Sequence, residues 1–227
     1  MPKDLIESTK TGIKNFETLK EKYKKFVPIL KQASEIELNE SDTCNLVTKI
    51  LEELLDYTIF EITTEHRIRN QYADFAIKVD GQILFIIEVK SLKTKLNDNH
   101  LTQAATYAAN EGVEWVLLTN GIEWKLYHVN FEKPISWELV FDISLLENKH
   151  NMLEKLCLLT KYSFLRNEVG KYNERLQALS ETVVKKVLLT DDVIKAIVKG
   201  LKKETGYNKI EPEKVKKVVK RLLEVKQ

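Results

Sequence analysis

Cysteine is nearly absent: Cys44 and Cys157 are the only two in 227 residues. Two thiols so far apart and so ordinary in setting exclude a disulfide framework and a cysteine-built zinc site, and a reducing cytoplasm is the expected home. Seven glycines and four prolines against 43% apolar residues exclude a disordered or loop-dominated chain, so an ordered, helix-rich globular protein is expected. No apolar run approaches the roughly 18 residues that span a bilayer, and no signal peptide opens the sequence, so no membrane partner is expected. No G-x-x-x-x-G-K-[ST] phosphate loop occurs in these residues, which excludes an ATP-driven motor within them. Net charge is only +2. It is unevenly spread, because residues 1–31 carry +4 and residues 181–227 carry +6, leaving −8 between them. Basic flanks around an acidic middle suit a polyanion gripped from the sides around a metal site, or are simply the solvated faces of lysine-rich helices.

The richest stretch runs from Tyr72 to Lys90. Asp80-Gly81 between two apolar runs is a hairpin signal, and Ile83–Ile87 is apolar without alternation, as in a strand covered on both faces. Such a strand has no structural reason to end in Glu88-Val89-Lys90, since ionised groups at a buried strand end are costly. Alternation puts Glu88 and Lys90 on one face, and Asp74 on the adjoining strand can bring a second carboxylate close. Two carboxylates and an ammonium make a plausible site for a hard cation such as magnesium. The Glu-x-Lys tripeptide alone carries little weight. It also occurs at Glu123/Lys125, Glu147/Lys149 and Glu224/Lys226, but only the copy at residue 88 has the strand and the upstream Asp.

Around this hairpin the patterning predicts a helix over about Ile6–Ala33, kinked or divided at Pro28, and a second helix that begins at the Asn39–Asp42 capping cluster and ends near Asp56. The runs Tyr57–Ile62 and Glu65–Asn70 read as a first strand region. After the hairpin come a helix over Leu101–Asn110 closed by Gly112, a buried strand Val113–Thr119, a second turn at Asn120-Gly121, a strand Ile122–Val129 and an edge strand Ile135–Phe141. Everything beyond Leu145 reads as helical, in Leu153–Leu165, Tyr172–Leu189, Asp191–Glu204 and Glu213–Val225. The fold class is therefore α/β: a mixed sheet core in the order αβββαβ flanked by helices, with an N-terminal helix and a helical C-terminal extension. The expected division is a basic helical segment at 1–35, a core at 36–145 and a helical region at 146–227.

The pieces Asn39-Glu40-Ser41-Asp42-Thr43, Ala73-Asp74, Ile87-Glu88-Val89-Lys90, Gln103-x-x-x-Tyr107 and Leu118-Thr119-Asn120-Gly121-Ile122-Glu123-Trp124 together resemble the PD-(D/E)xK nuclease superfamily. Within it, the chain is similar to the N-terminal nuclease domain of type I restriction enzyme R subunits, over about residues 36–130. The resemblance implies a restriction-endonuclease-like fold and Mg2+-dependent hydrolysis of DNA phosphodiesters, with Mn2+ as a possible substitute. It implies that Asp74, Glu88 and the Val89 carbonyl bind the metal, and that Lys90 orients or helps deprotonate water and stabilises phosphorane charge. Glu40 matches the family's helix acid, and Gln103 and Tyr107 its Q-x-x-x-Y element. Ala73 stands where the superfamily has Pro. Arg67 and Arg69, on one strand face before Asp74, and Lys93 and Lys95 after Lys90 are the candidate nucleic-acid contacts, with surface solvation as the alternative.

The expected partners are DNA, a second copy of the chain forming a homodimer, and motor or specificity subunits on other chains, in a phage or defence setting. The alternative is a non-catalytic nucleic-acid-binding or protein-interaction module on the same fold.

Overall fold

The computed structural model describes residues 10–68, 71–147 and 151–224. The chain divides into two compact units, residues 1–170 and 171–227.

The first unit opens with helix α1 (Lys10–Glu35), which runs unbroken through Pro28 where the sequence suggested a kink or a division. Loss of one amide donor is offset by the continuous apolar stripe of Leu19, Phe26, Leu30 and Ala33, all buried. Helix α2 (Glu40–Glu53) begins at Asn39, whose side chain accepts from the Asp42 amide at 2.9 Å. The first strand starts later than the residues around Tyr57 suggested. Asp56 takes a positive φ of 66°, and the Glu61 carboxylate accepts from the Thr58 amide at 2.9 Å, so residues 57–61 turn rather than extend. Ile59 and Phe60 are left exposed there.

Strands β1 (Ile62–Ile68), β2 (Gln71–Val79), β3 (Gln82–Val89), β4 (Trp115–Thr119), β5 (Glu123–Asn130) and β6 (Ser136–Ser144) form one sheet in chain order. All neighbours are antiparallel except β3 and β4, which are parallel and joined by helix α3 (Thr102–Glu111). A parallel pair requires such a crossover, whereas the other connections can be short. Asp80 and Gly81 have φ of 50° and 83°, the left-handed pair that a two-residue hairpin needs.

One face of the sheet packs on α3, with Ala76, Ile86, Val116 and Leu118 against Leu101, Ala104, Tyr107 and Ala108. On the other, Phe85 meets Tyr57 and Phe164 at ring-centroid distances of 5.6 and 4.6 Å. Helices α4 (Met152–Leu158) and α5 (Lys161–Leu165) divide a run that the sequence read as one, because Thr160 caps α5 by accepting from the Ser163 amide. The Tyr57 hydroxyl donates to Leu159 O at 3.1 Å and the Lys161 amide to Leu55 O at 2.8 Å, which tie these helices to the end of α2. Helix α6 (Glu168–Ala178) follows.

Taken by itself, the second unit contains α7 (Glu181–Leu188), α8 (Asp191–Thr205) and α9 (Pro212–Glu224). Ser180 caps α7 through the Val183 amide, splitting another run that the sequence read as continuous. Ile194, Val198 and Val215 form the small core of this unit, backed by Ile197, Ile210 and Val219. Val183, Val184, Val187, Val218 and Leu222 remain exposed. No helix among the described residues is long and apolar enough to cross a membrane.

Gly121 joins β4 to β5 at φ 86°, and a Cβ there would lie 3.1 Å from Leu46 Cδ2 and 3.3 Å from Thr43 Cγ2, both on α2. Gly121→Ala is therefore expected to destabilise the protein by roughly 1–3 kcal/mol, from a left-handed non-glycine residue plus an overfilled contact. A urea-unfolding midpoint equal to wild type would show that α2 is not held this closely to the turn.

Candidate active site

Strand β3 is buried from Phe85 to Val89 and ends in charge. Alternation from Ile86 places Glu88 and Lys90 toward the sheet face that α3 covers. Glu88 is only 8% exposed, and its Oε1 accepts from Lys90 Nζ at 2.6 Å. With Phe75 opposite Ile87, the next step along each strand brings Asp74 beside the end of β3, where its Oδ2 accepts from the Val89 amide at 2.6 Å. Lys90 Nζ also lies 3.6 Å from Glu40 Oε2, on the first turn of α2. Asn39 supplies the cap of that helix, so Glu40 is left to face the lysine. Asp74, Glu88, Lys90 and Glu40 thus come together from β2, β3 and α2.

The electrostatics follow from this crowding. Burial raises the Glu88 carboxyl above its ordinary value, the Lys90 hydrogen bond holds it back, and the Asp74 and Glu40 charges push it further up. Burial pulls Lys90 down, but the hydrogen bond from Lys90 to Glu88 and the three carboxylates outweigh it, so the ammonium is held above the usual lysine range.

Cys44, one turn after Glu40, lies in the same field. Its thiol is raised to about 11, first by burial and then by Asp74 and Glu40. Sequence reading gave Cys44 no part here, although the i, i+4 spacing from Glu40 was available as a signal.

The other expected residues are placed as follows. Tyr107 is buried in the α3 cluster together with Ile86, on the face that Glu88 shares, while Gln103 is exposed. Lys93 is exposed and pairs with Glu37 at 3.5 Å, and Lys95 is exposed in the same loop. Arg69 and the side chain of Arg67 lie outside the described residues. Among the described residues no three His, Cys, Asp or Glu side chains are grouped as a metal cage. Asp74 and Glu88 still offer hard carboxylate oxygens whose mutual repulsion a divalent cation would relieve, and magnesium uses one or two carboxylates with waters and substrate phosphates. The residues present fit such an ion.

Thr119, the end of a strand, and Asn120, the first residue of the turn after it, belong to the surroundings of the site. The Lys90 amide donates to Thr119 O at 2.8 Å, and Asn120, 5% exposed, donates through Nδ2 to Thr94 O at 3.1 Å.

Residues 40–143 match the family described as type I restriction enzyme R protein N terminus. This bears out the resemblance carried by the motifs. Neither the curated proteins nor the solved structures contain a match to the chain.

Lys90→Met removes the group that holds the Glu88 carboxyl down, so that carboxyl should climb further. A carboxyl raised in the folded state binds a proton that the unfolded chain has already released. Its favourable contribution is full below the unfolded value near 4.5 and is lost as pH rises through the folded value. Urea-unfolding midpoints across that range should therefore fall with rising pH more steeply in Lys90→Met than in wild type. Parallel profiles would contradict the coupling.

Proposed function

We propose that residues 40–143 form a metal-dependent nuclease domain that hydrolyses DNA phosphodiesters. The observation that carries this reading is the convergence of Asp74, Glu88, Lys90 and Glu40 at the end of a central strand, in a segment matching the restriction R-protein N terminus. Asp74 and Glu88 would hold Mg2+ or Mn2+, with the Val89 carbonyl as a further oxygen. Bound there, the cation supplies Lewis-acid polarisation of the phosphate and a more acidic water.

The chain's own groups do the rest. In hydrolysis a water oxygen bonds to phosphorus, the ester P–O bond breaks, and negative charge grows on the phosphoryl oxygens. Lys90, held as an ammonium by its carboxylate neighbours, suits the stabilisation of that charge and the orientation of water better than proton abstraction. Glu40 adds a carboxylate on the solvent side, about half exposed, where it sets the field around the lysine. Lys93 and Lys95 lie on the exposed loop that leaves the centre and would meet the backbone of a bound polyanion. With a single centre per 40–143 segment, cutting both strands would call for two copies.

The test is cleavage of supercoiled plasmid and of single-stranded DNA with Mg2+ or Mn2+, comparing wild type with Asp74→Ala and Lys90→Ala. Metal-dependent cutting that falls about 100-fold or more in both variants is expected. Cutting that survives Asp74→Ala, or a wild type that binds DNA without cutting it under any metal, would overturn the catalytic reading in favour of a binding module.

A further inference from the structure

Resting on that reading of the centre, we propose that Asn120 is a positioning residue for Lys90. Its carboxamide lets the β4–β5 turn hold the chain that leaves the lysine. A side chain so buried must satisfy both ends of its amide. Oδ1 accepts from the Ile122 amide at 3.1 Å and from the Glu123 amide at 2.7 Å, while Nδ2 donates to Thr94 O at 3.1 Å. Two backbone N–H groups on one atom fix which end is oxygen.

The turn alone needs only the acceptor, and aspartate would supply it equally well. What asparagine adds is the donor, and the donor reaches across to a different segment. Thr94 closes a turn directly after Lys90: its amide donates to Ser91 O at 2.8 Å, and the Ser91 and Thr94 hydroxyls are 2.7 Å apart. The neighbouring Thr119 holds the other side, since its carbonyl takes the Lys90 amide at 2.8 Å. Two consecutive residues therefore grip the main chain before and after the lysine.

The same segment is tied at two further points. The Leu92 amide donates to Leu38 O at 3.3 Å, next to the cap of the helix that carries Glu40. Lys125 Nζ donates to Leu96 O at 3.1 Å, from the strand that follows the turn. The loop after Lys90 is thus a fixed frame, and Asn120 is its side-chain attachment to the β4–β5 turn. Catalysis by a preplaced charge is sensitive to displacements of about 1 Å, which gives such an attachment a large lever on rate.

Asn120→Asp keeps the acceptor for Ile122 and Glu123 and deletes only the donor to Thr94, whereas Asn120→Ala deletes both. Hydrogen exchange and Mn2+-dependent DNA cleavage are measured on the full chain for wild type and both variants. In Asn120→Asp the amides of residues 91–98 should exchange faster while Ile122 and Glu123 stay protected. kcat should fall about tenfold to a hundredfold with KM for DNA little changed. Asn120→Ala should lose protection in both segments.

Unchanged exchange over residues 91–98 in Asn120→Asp overturns the proposal, as does faster exchange with wild-type kcat. A wild type that does not cut would overturn the nuclease reading instead. The exchange comparison would then still decide whether Asn120 holds the Lys90 segment.

Discussion

The 2.6 Å contact between Glu88 and Lys90 is the constraint around which the first unit is arranged. A carboxylate at the end of a strand buried on both faces cannot be left alone. Removing one partner of a buried ion pair costs about 3–5 kcal/mol, yet an intact pair adds little over apolar residues of the same size. The pair is thus poor value as a stabiliser, and its place in the fold makes sense through the field it creates. Asp74 and Glu40, from two further elements, point into that field and deepen it.

Order in this region comes from backbone attachments as much as from charge. Asp74 accepts from the Val89 amide, Thr119 takes the Lys90 amide, and Leu38 takes the Leu92 amide. Each bond joins β3 or its exit loop to a different element, so the positions of the charged groups are set by main-chain geometry. Side-chain rotamers then need only choose among a few staggered states. A site assembled this way shifts as a unit or not at all.

Much of this was legible in the sequence. Asp80-Gly81 gave the hairpin, the unalternating Ile83–Ile87 gave the covered strand, and the charged end of that strand gave Glu88 and Lys90, because hairpin chemistry and burial cost are local rules. What escaped depends on long-range placement. Cys44 shares a helix face with Glu40, but nothing local says which way that face points. The donor of Asn120 is invisible because its acceptor lies 26 residues away. The unbroken α1, and the late start of β1 after Asp56, went the other way: tertiary packing and a single side-chain cap overrode local preference.

The sheet's order follows the order of the chain, and only one connection between adjacent strands is a crossover rather than a turn or short loop. Such a topology keeps contact order low. β1–β2–β3 and β4–β5–β6 can each zip up from neighbouring residues, and the two halves must then find one another by closing the segment that contains α3. Loop-closure entropy falls on that step alone. Since Thr119 and Asn120 stand on the second half and Asp74, Glu88 and Lys90 on the first, the centre's frame comes into being in the closing event itself. A chain caught before it would carry the charged residues without the geometry that gives them a use.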